Sequence, residues 1–130
     1  IARLRHEGYR FEYIELIGVP NQRVWDELRL ARIVLNEFYA FMPGVFGVEA
    51  MASYCALVTS ADATIETSLP PDSNQAWLVT RPWAVYDNLK RLLDQPQLQL
   101  EYAEAGYRWA ERHAAFAASS QELLRQLEKA

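Results

Sequence analysis

The sequence contains only one cysteine and two histidines, and this scarcity excludes two kinds of site. The lone thiol, Cys55, cannot form an internal disulfide, which is typical of a protein in a reducing compartment. Imidazole and thiolate ligands are too few for a zinc site, so we predict no bound metal. Neither a disulfide framework nor a structural metal is therefore expected to hold this fold together.

Positive charge and long apolar runs are also lacking. The 13 Lys and Arg residues are outnumbered by 17 Asp and Glu residues, which gives a net charge of −4. No basic patch is visible, so nucleic acid is not an expected partner. The apolar runs are far too short for a transmembrane segment, and no signal-peptide pattern is present. We therefore predict a cytoplasmic protein, with a peripheral position on the inner face of the membrane as the alternative.

Apolar material is plentiful. Hydrophobic residues make up 51% of the 130 residues and charged residues 23%, a balance typical of a globular domain with one core. We therefore predict that residues 1–130 form one domain. The opening at Ile1 reads like the middle of an amphipathic helix, so we expect the chain to be an N-terminally truncated part of a longer protein.

Short apolar segments alternate with amphipathic segments along the chain. Enrichment in strand-forming residues predicts strands over residues 11–17, 33–35, 55–58 and 76–79. Apolar spacing, with Gly8 as a stop and Asn21 as a cap, predicts helices over residues 1–7, 21–32, 47–54, 82–93, 96–113 and 119–130. This order predicts an α/β fold, a Rossmann-like parallel sheet with helices on both faces.

Loops that follow the strands of a parallel sheet are where such folds bind ligands. In the loop after residues 33–35, Gly44 and Gly47 precede a helix expected to begin near Val48, and glycine lets a backbone approach a ligand closely. Free amides at a helix start favour an anion such as a diphosphate. Glu49, expected in the first turn, can accept hydrogen bonds from a ribose diol. An acidic residue in a first turn is also common for stability alone.

The stretch beginning at Ile33, IVLNEFYAFMPGVFGVEAMASYCALVTS, resembles the donor-binding region of retaining, glycogen-synthase-like glycosyltransferases of the GT-B fold. Its specific motif is FGVEAMA, from Phe46 to Ala52. Residues 83–94 and 98–113 are similar to the later helices of that family. The resemblance therefore implies the C-terminal, donor-binding part of a two-domain enzyme.

The resemblance also implies roles for individual residues. Glu49 matches the glutamate that holds the ribose hydroxyls of a nucleotide-sugar, which would be a substrate, with no cofactor implied. The positions matched to the diphosphate and donor sugar, and to the turn beside the base, are Phe46, Gly47, Val48, Gly18 and Val19. An N-terminal GT-B domain and an acceptor saccharide, lipid or protein would be the partners. This chain alone is then expected to be inactive.

The sequence departs from the family pattern at several positions. The family's second glutamate would stand at Phe41, and Glu37 in the same loop has a different spacing. Tyr54 replaces a glycine and Ala56 replaces a proline. The basic residues for the diphosphate are expected upstream of Ile1. Either the donor sugar is held differently or the site is degenerate.

Several other residues have structural as well as functional interpretations. The aromatic residues around the proposed loop fit ligand stacking and core filling equally well: Phe38, Tyr39, Phe41 and Phe46. We expect packing roles for Trp77, Trp83 and Trp109, a capping role for His113, an exposed His6 and a core position for Cys55. Solvated loop charges are expected at Asp62, Glu66 and Asp72, in preference to an acid–base pair.

Two functions from different classes remain open at this point. The first is the donor-binding part of a glycosyltransferase. The second is a non-catalytic, degenerate Rossmann-like module for interaction or regulation, which the departures at Phe41, Tyr54 and Ala56 favour. An unrelated receiver domain is not expected, because no acidic residues cluster after the first strand.

Overall fold

A computed structural model describes residues 1–16, 20–36 and 44–113. Within these ranges the α-helices are α1 (Ala2–His6), α2 (Asn21–Leu30), α3 (Gly44–Ala52), α4 (Val85–Asp94) and α5 (Pro96–Arg112). The strands are β1 (Ile33–Leu35), β2 (Ala56–Thr59) and β3 (Leu78–Val79), and short 3₁₀ turns span Ser73–Gln75 and Pro82–Ala84. No helix in the described ranges is both long and apolar enough to cross a membrane.

The strands form a small parallel sheet in the order β1-β2-β3. Val34 lies opposite Leu57, and Val58 lies opposite Leu78. Apolar and β-branched side chains pack well on a sheet that is covered on both sides, which explains why these short runs become strands. The predicted mixed α/β fold with a parallel sheet is thereby confirmed.

The two faces of the sheet contact different core clusters, because successive side chains of a strand point to opposite sides. Val34 and Leu57 belong to a large cluster with side chains from α2, α3 and α5, which include Leu28, Met51 and Trp109. On the other face, Val58 and Leu78 pack with Leu92 of α4, and with Leu98 and Tyr102 near the start of α5. Helices therefore cover both faces, as predicted.

Two tryptophans fasten the long connection between β2 and β3 to the core. The rings of Trp77 and Trp109 are fully buried and meet edge to face, with centroids 5.2 Å apart. The Trp77 indole N–H donates to the carbonyl oxygen of Ala61 at 2.8 Å, and that of Trp109 donates to the Ser73 hydroxyl at 3.0 Å. Both predicted packing roles are confirmed, and each ring also satisfies its polar atom.

The chain start packs against α4. Leu4 is fully buried, and Gly8, at φ +98°, follows α1 as expected for a residue that stops a helix. Glu7 accepts a hydrogen bond from the Tyr86 hydroxyl and forms an ion pair with Lys90. The first residues of the chain are therefore held against α4, which lies about 80 positions further along the sequence.

Several expectations about local structure are wrong. Residues 11–16 form no strand, and Tyr13 and Ile14 are exposed. Strand propensity stabilises a segment only where a neighbouring strand supplies a ladder, and the described sheet offers this segment none. Residue 17 of this predicted strand lies outside the described residues, as does the helix predicted over residues 119–130.

Two further expectations are wrong at the starts of helices. The N-cap of α2 is Pro20, in an extended conformation, and Asn21 is already the first helical residue. Trp83 does not pack but exposes 81% of its surface. It lies in the 3₁₀ turn before α4, so it does not belong to the inward stripe that Leu89 and Leu92 form further along.

Candidate functional site

The ends of the three parallel strands define one edge of the sheet, which we call the carboxyl edge. The residues that follow β1, β2 and β3 there are Asn36, Ser60 and Thr80. The Asn36 amide donates to the Val58 carbonyl oxygen at 3.0 Å, and the Thr80 amide donates to that of Thr59 at 2.8 Å. The strands thus remain joined up to this edge, where parallel sheets bind their ligands.

Helix α3 begins at the carboxyl edge, because it follows β1 and leads back to the start of β2. It starts at Gly44, several residues before the predicted start near Gly47. Val48, Ala50 and Met51 are buried in the core, and this packing outweighs the poor helix propensity of glycine. Phe46, Gly47 and Val48 are therefore helical residues and not part of the loop.

The earlier helix start changes the position of Glu49. It is the sixth residue of α3, and the first turn contains no acidic residue, so its predicted first-turn position is wrong. The amides that helix geometry leaves without an acceptor within the helix belong to Gly44, Val45 and Phe46. The helix rise places Glu49 about 7–8 Å along the axis from Gly44. Its side chain leans back towards the N-terminus, as helical side chains do.

The Glu49 carboxylate occupies a half-buried position. Burial raises the pKa of this group above its ordinary value. In the described ranges, no hydrogen bond or ion pair of the Glu49 carboxylate is found. A partly desolvated carboxylate without a cation beside it is an unfavourable arrangement that a hydrogen-bonding ligand can relieve.

The other predicted site residues divide into two groups. Gly44, Phe46, Gly47, Val48 and Glu49 share α3, with Gly47 and Val48 buried and Phe46 partly buried against the large core cluster. The second group lies outside the described residues: Gly18, Val19, Glu37, Phe38, Tyr39 and Phe41. Of the residues predicted to contact the nucleotide-sugar, the structure therefore describes only those on α3.

A polar cluster at the carboxyl edge was not predicted. It consists of Asp62, Thr64, Asn74 and Arg81, and we call it the Asp62 cluster. One carboxylate oxygen of Asp62 accepts hydrogen bonds from the Thr64 amide at 2.9 Å, the Thr64 hydroxyl at 2.6 Å and the Asn74 side-chain amide at 2.9 Å. The other oxygen accepts from the Arg81 guanidinium at 2.7 Å.

Asp62 is a buried charge and not the solvated loop residue that the sequence suggested, since it exposes only 7% of its surface. The hydrogen bonds from Thr64 and Asn74, together with the Arg81 charge, lower the pKa of Asp62 to about 2. One signal was present in the sequence: polar residues directly follow β2 and β3, at the ends where ligands bind. The pairing itself joins residues far apart along the chain.

The remaining singled-out charges, Asp72 and Glu66, do not belong to the Asp62 cluster. Asp72 pairs with Arg112 at 2.7 Å and with His113 at 2.9 Å, at the C-terminal end of α5. Burial acts to raise the pKa of Asp72, but the hydrogen bonds from Arg112 and His113 outweigh it and leave the pKa below its ordinary value. Glu66 accepts a hydrogen bond from the Ser68 hydroxyl, which lowers the pKa of Glu66.

Cys55 and the histidines have no catalytic geometry. Cys55 is fully buried, its thiol lies 3.3 Å from the Leu28 carbonyl oxygen, and burial raises the pKa of the thiol to about 11. His113 is the C-cap residue of α5, as predicted, and His6 is exposed. Within the described residues, no group of three or more His, Cys, Asp or Glu side chains is placed to hold a metal ion.

Two hollows in the described surface lie away from the proposed site. One, of about 430 Å³, lies at the opposite edge of the sheet, between Arg32, Tyr54 and Leu100. The other, of about 180 Å³, lies beside Asp72 and Arg112. The candidate site lies instead at the carboxyl edge, where α3 begins, because the volume of a cavity does not indicate which ligand it binds.

Comparison with known proteins does not assign the chain to a family. It matches no protein-family model, no curated protein and no solved structure. Assignment to the glycosyltransferases therefore depends on the FGVEAMA motif and on the chemistry of the site, and it stays a prediction.

Proposed function

We propose that this chain is the donor-binding part of a glycosyltransferase that transfers a sugar from a nucleotide-sugar to an acceptor. The observation that carries the proposal is the Glu49 carboxylate, half-buried on a helix that starts at the carboxyl edge. In this proposal, the amides of Gly44 to Phe46 bind the diphosphate. Glu49 accepts hydrogen bonds from the two ribose hydroxyls.

The chemistry of the proposed reaction assigns a limited role to these residues. A leaving diphosphate gains negative charge as the bond to the sugar breaks, and amides fixed at a helix start stabilise that charge without rearranging. In this proposal, a partner GT-B domain binds the acceptor. The remaining contacts to the diphosphate would come from upstream residues. The chain by itself is then expected to bind a nucleotide weakly and to transfer no sugar.

The proposal predicts that Glu49→Gln weakens the binding of UDP or GDP by about tenfold or more, because a neutral amide replaces a charged acceptor. Isothermal titration calorimetry on the 130-residue chain measures this change. The raised pKa of Glu49 adds a second expectation. Wild-type affinity should fall as the pH drops through that pKa, whereas the affinity of Glu49→Gln should change less.

A matched control variant shows whether the loss of binding is specific to Glu49. Glu101 is an exposed glutamate on α5, and Glu101→Gln makes the same chemical change away from the carboxyl edge. It should bind UDP or GDP as the wild type does. Equal binding by Glu49→Gln and the wild type would remove Glu49 from its proposed role.

One observation favours a second candidate, a non-catalytic Rossmann-like module. Glu49 lies beyond the first turn of α3, so the helix dipole stabilises its charge less than the sequence pattern suggested. Such a module would bind no nucleotide-sugar. Turnover of a nucleotide-sugar by the full-length protein would exclude it, and the absence of UDP and GDP binding by the wild-type chain would favour it.

A further inference from the structure

The larger of the two surface hollows, about 430 Å³ in volume, lies at the edge of the sheet where the strands begin. Arg32 directly precedes β1, and Tyr54 lies two residues before β2. The first turns of α5 supply the other wall, through Pro96, Leu100 and Ala103. We call this site the Tyr54 hollow. Its volume falls within the range of pockets that bind small organic molecules.

The walls of the Tyr54 hollow expose large apolar side chains. Leu100 exposes 58% of its surface and Tyr54 exposes 47%. Tyr107 extends this surface along α5, because its ring contacts the Tyr54 ring with the centroids 5.6 Å apart. Leu100, Ala103 and Tyr107 follow one another at spacings of three and four, which places them on one face of the helix. An apolar ligand would remove this contiguous surface from water.

The Tyr54 ring is held in the hollow by a strained backbone. Its φ of +65° lies in the left-handed region that favours glycine. Residues in such conformations are concentrated at sites that bind ligands. The ring gains little burial in return, because nearly half of the residue stays in contact with solvent. A ligand that packs on this ring accounts for the arrangement better than folding stability does.

Two polar side chains also line the hollow. The Gln99 side-chain amide already donates to the Leu92 carbonyl oxygen at 2.7 Å. Arg32 is exposed, and it is the one charged residue among the described residues of the lining. No hydrogen bond, ion pair or ring contact of its guanidinium is found in the described ranges. This permanently charged, planar donor is therefore available to an anionic group.

We propose that the Tyr54 hollow binds an aromatic compound that carries one anionic group, a carboxylate or a phosphate. The aromatic ring packs against Tyr54 and Leu100, and Arg32 donates to the anionic group. A second copy of the chain fits the hollow less well, because a two-fold interface would place one concave surface against another. The site lies away from the carboxyl edge, so the inference does not depend on nucleotide-sugar binding.

The test compares three naphthalene compounds that differ in one group: naphthoate, naphthyl phosphate and the neutral naphthamide. Isothermal titration calorimetry measures their binding to the 130-residue chain. Arg32→Gln removes the cation, and Leu100→Glu places a like charge beside the ligand. Both residues are exposed, so both variants should fold, which circular dichroism checks. Ile65→Glu is the matched control, because Ile65 is 50% exposed in the connection between β2 and β3.

We expect the wild type and Ile65→Glu to bind one of the two anions about fivefold more tightly than naphthamide. The tighter anion identifies the group that the site takes. In Arg32→Gln the preference for the anion should vanish, and Leu100→Glu should weaken binding of the anion by about tenfold.

Three results would overturn the inference. The first is no binding of either anion at concentrations up to about 10 mM. The second is an anion preference that survives Arg32→Gln, or a loss of affinity that is equal in Leu100→Glu and Ile65→Glu. The third is a wild-type dimer in gel filtration that Leu100→Glu dissociates, because a second copy of the chain would then cover the hollow.

Discussion

Tyr54 adopts a backbone conformation that side chains with a Cβ atom rarely take. Its φ is +65°, the one positive value at a non-glycine residue in the described ranges. The Tyr54 amide donates to the Met51 carbonyl oxygen and the Cys55 amide to that of Ala50, both at 3.1 Å. These two bonds form a Schellman motif, in which the left-handed residue is usually glycine. The resemblance to glycosyltransferases implied glycine here, and the geometry gives that expectation a physical reason.

The motif predicts that Tyr54→Gly is more stable than Tyr54→Ala by about 1 kcal/mol, because both lose the side chain but only glycine relieves the strain. Both variants lose the ring contact with Tyr107, whose centroid is 5.6 Å away. Urea unfolding measures the difference. Ser53→Gly serves as the control and should destabilise, since Ser53 has no positive φ. If Tyr54→Ala proves the more stable of the two, the assumed strain is absent.

Residue type alone predicted the burial of some side chains, although it failed for Trp83, which is exposed. Cys55, Trp77 and Trp109 were expected in the core and are fully buried. Asp62 was not, because its burial depends on Asn74 and Arg81, which lie 12 and 19 positions away. Charge pairing across such separations leaves no periodic pattern, so the sequence could indicate polar residues after β2 and β3 but not the pairing of Asp62 with Asn74 and Arg81.

Helices and strands also divide into those that the local sequence predicts and those that depend on contacts with distant residues. β1 was predicted with its observed bounds, because three consecutive apolar residues favour a short buried strand, and α5 ends within one residue of its prediction. The start of α3 was placed too late, since its two glycines argue against a helix and only the core contacts of Val48 and Met51 overrule them. The strand predicted over residues 11–17 failed for the opposite reason: its propensity found no partner strand among the described residues.

The approach of α5 to α3 depends on Gly106. A Cβ atom there would lie 3.0 Å from the Met51 side chain and 3.1 Å from the Ala76 carbonyl oxygen. We predict that Gly106→Ala destabilises the protein by about 1 kcal/mol, because the clash with a backbone oxygen exceeds the gain in helix propensity. Gly106→Val should cost about 3 kcal/mol.

Chemical unfolding followed by tryptophan fluorescence measures both changes. Glu104→Ala, an exposed position on the same helix, provides the control and should change the free energy of unfolding by less than about 0.5 kcal/mol. Stabilisation by Gly106→Ala would mean that α5 can move away from α3, and the close packing would not constrain this helix pair.

At the scale of the whole molecule, two ionised carboxylates hold the long connection between β2 and β3. Asp62 fixes its beginning to the carboxyl edge, and Asp72 fixes its far part to the end of α5. Both have a lowered pKa, so both bind protons less readily in the folded chain than in the unfolded chain. Protonation of both carboxylates at low pH should therefore weaken the ion pairs that hold the connection at its two ends. Protonation of Glu49 acts in the opposite direction, because burial raises its pKa.

The sign of the pH dependence follows from these shifts. A carboxylate with a lowered folded-state pKa contributes its full stabilisation above its unfolded pKa and loses it as the pH falls through the folded value. For Asp62 this window runs from its ordinary pKa of 3.8 down to about 2. The change corresponds to roughly 2 kcal/mol of folding free energy. Asp62→Asn should therefore be less stable than the wild type near pH 5, and the difference should shrink by about that amount near pH 2.

Urea unfolding at several values between about pH 5 and pH 2 tests this expectation in wild type, Asp62→Asn and Asp72→Asn. The wild-type free energy of unfolding should fall most steeply below about pH 4. In each variant, the free energy of unfolding should depend less steeply on pH. Asp72→Asn separates the two ends of the connection, because it leaves the Arg81 pair intact. A wild-type slope unchanged by Asp62→Asn would mean that Asp62 is not held as an ion in the folded chain, and its pairing with Arg81 would not fix the start of the connection.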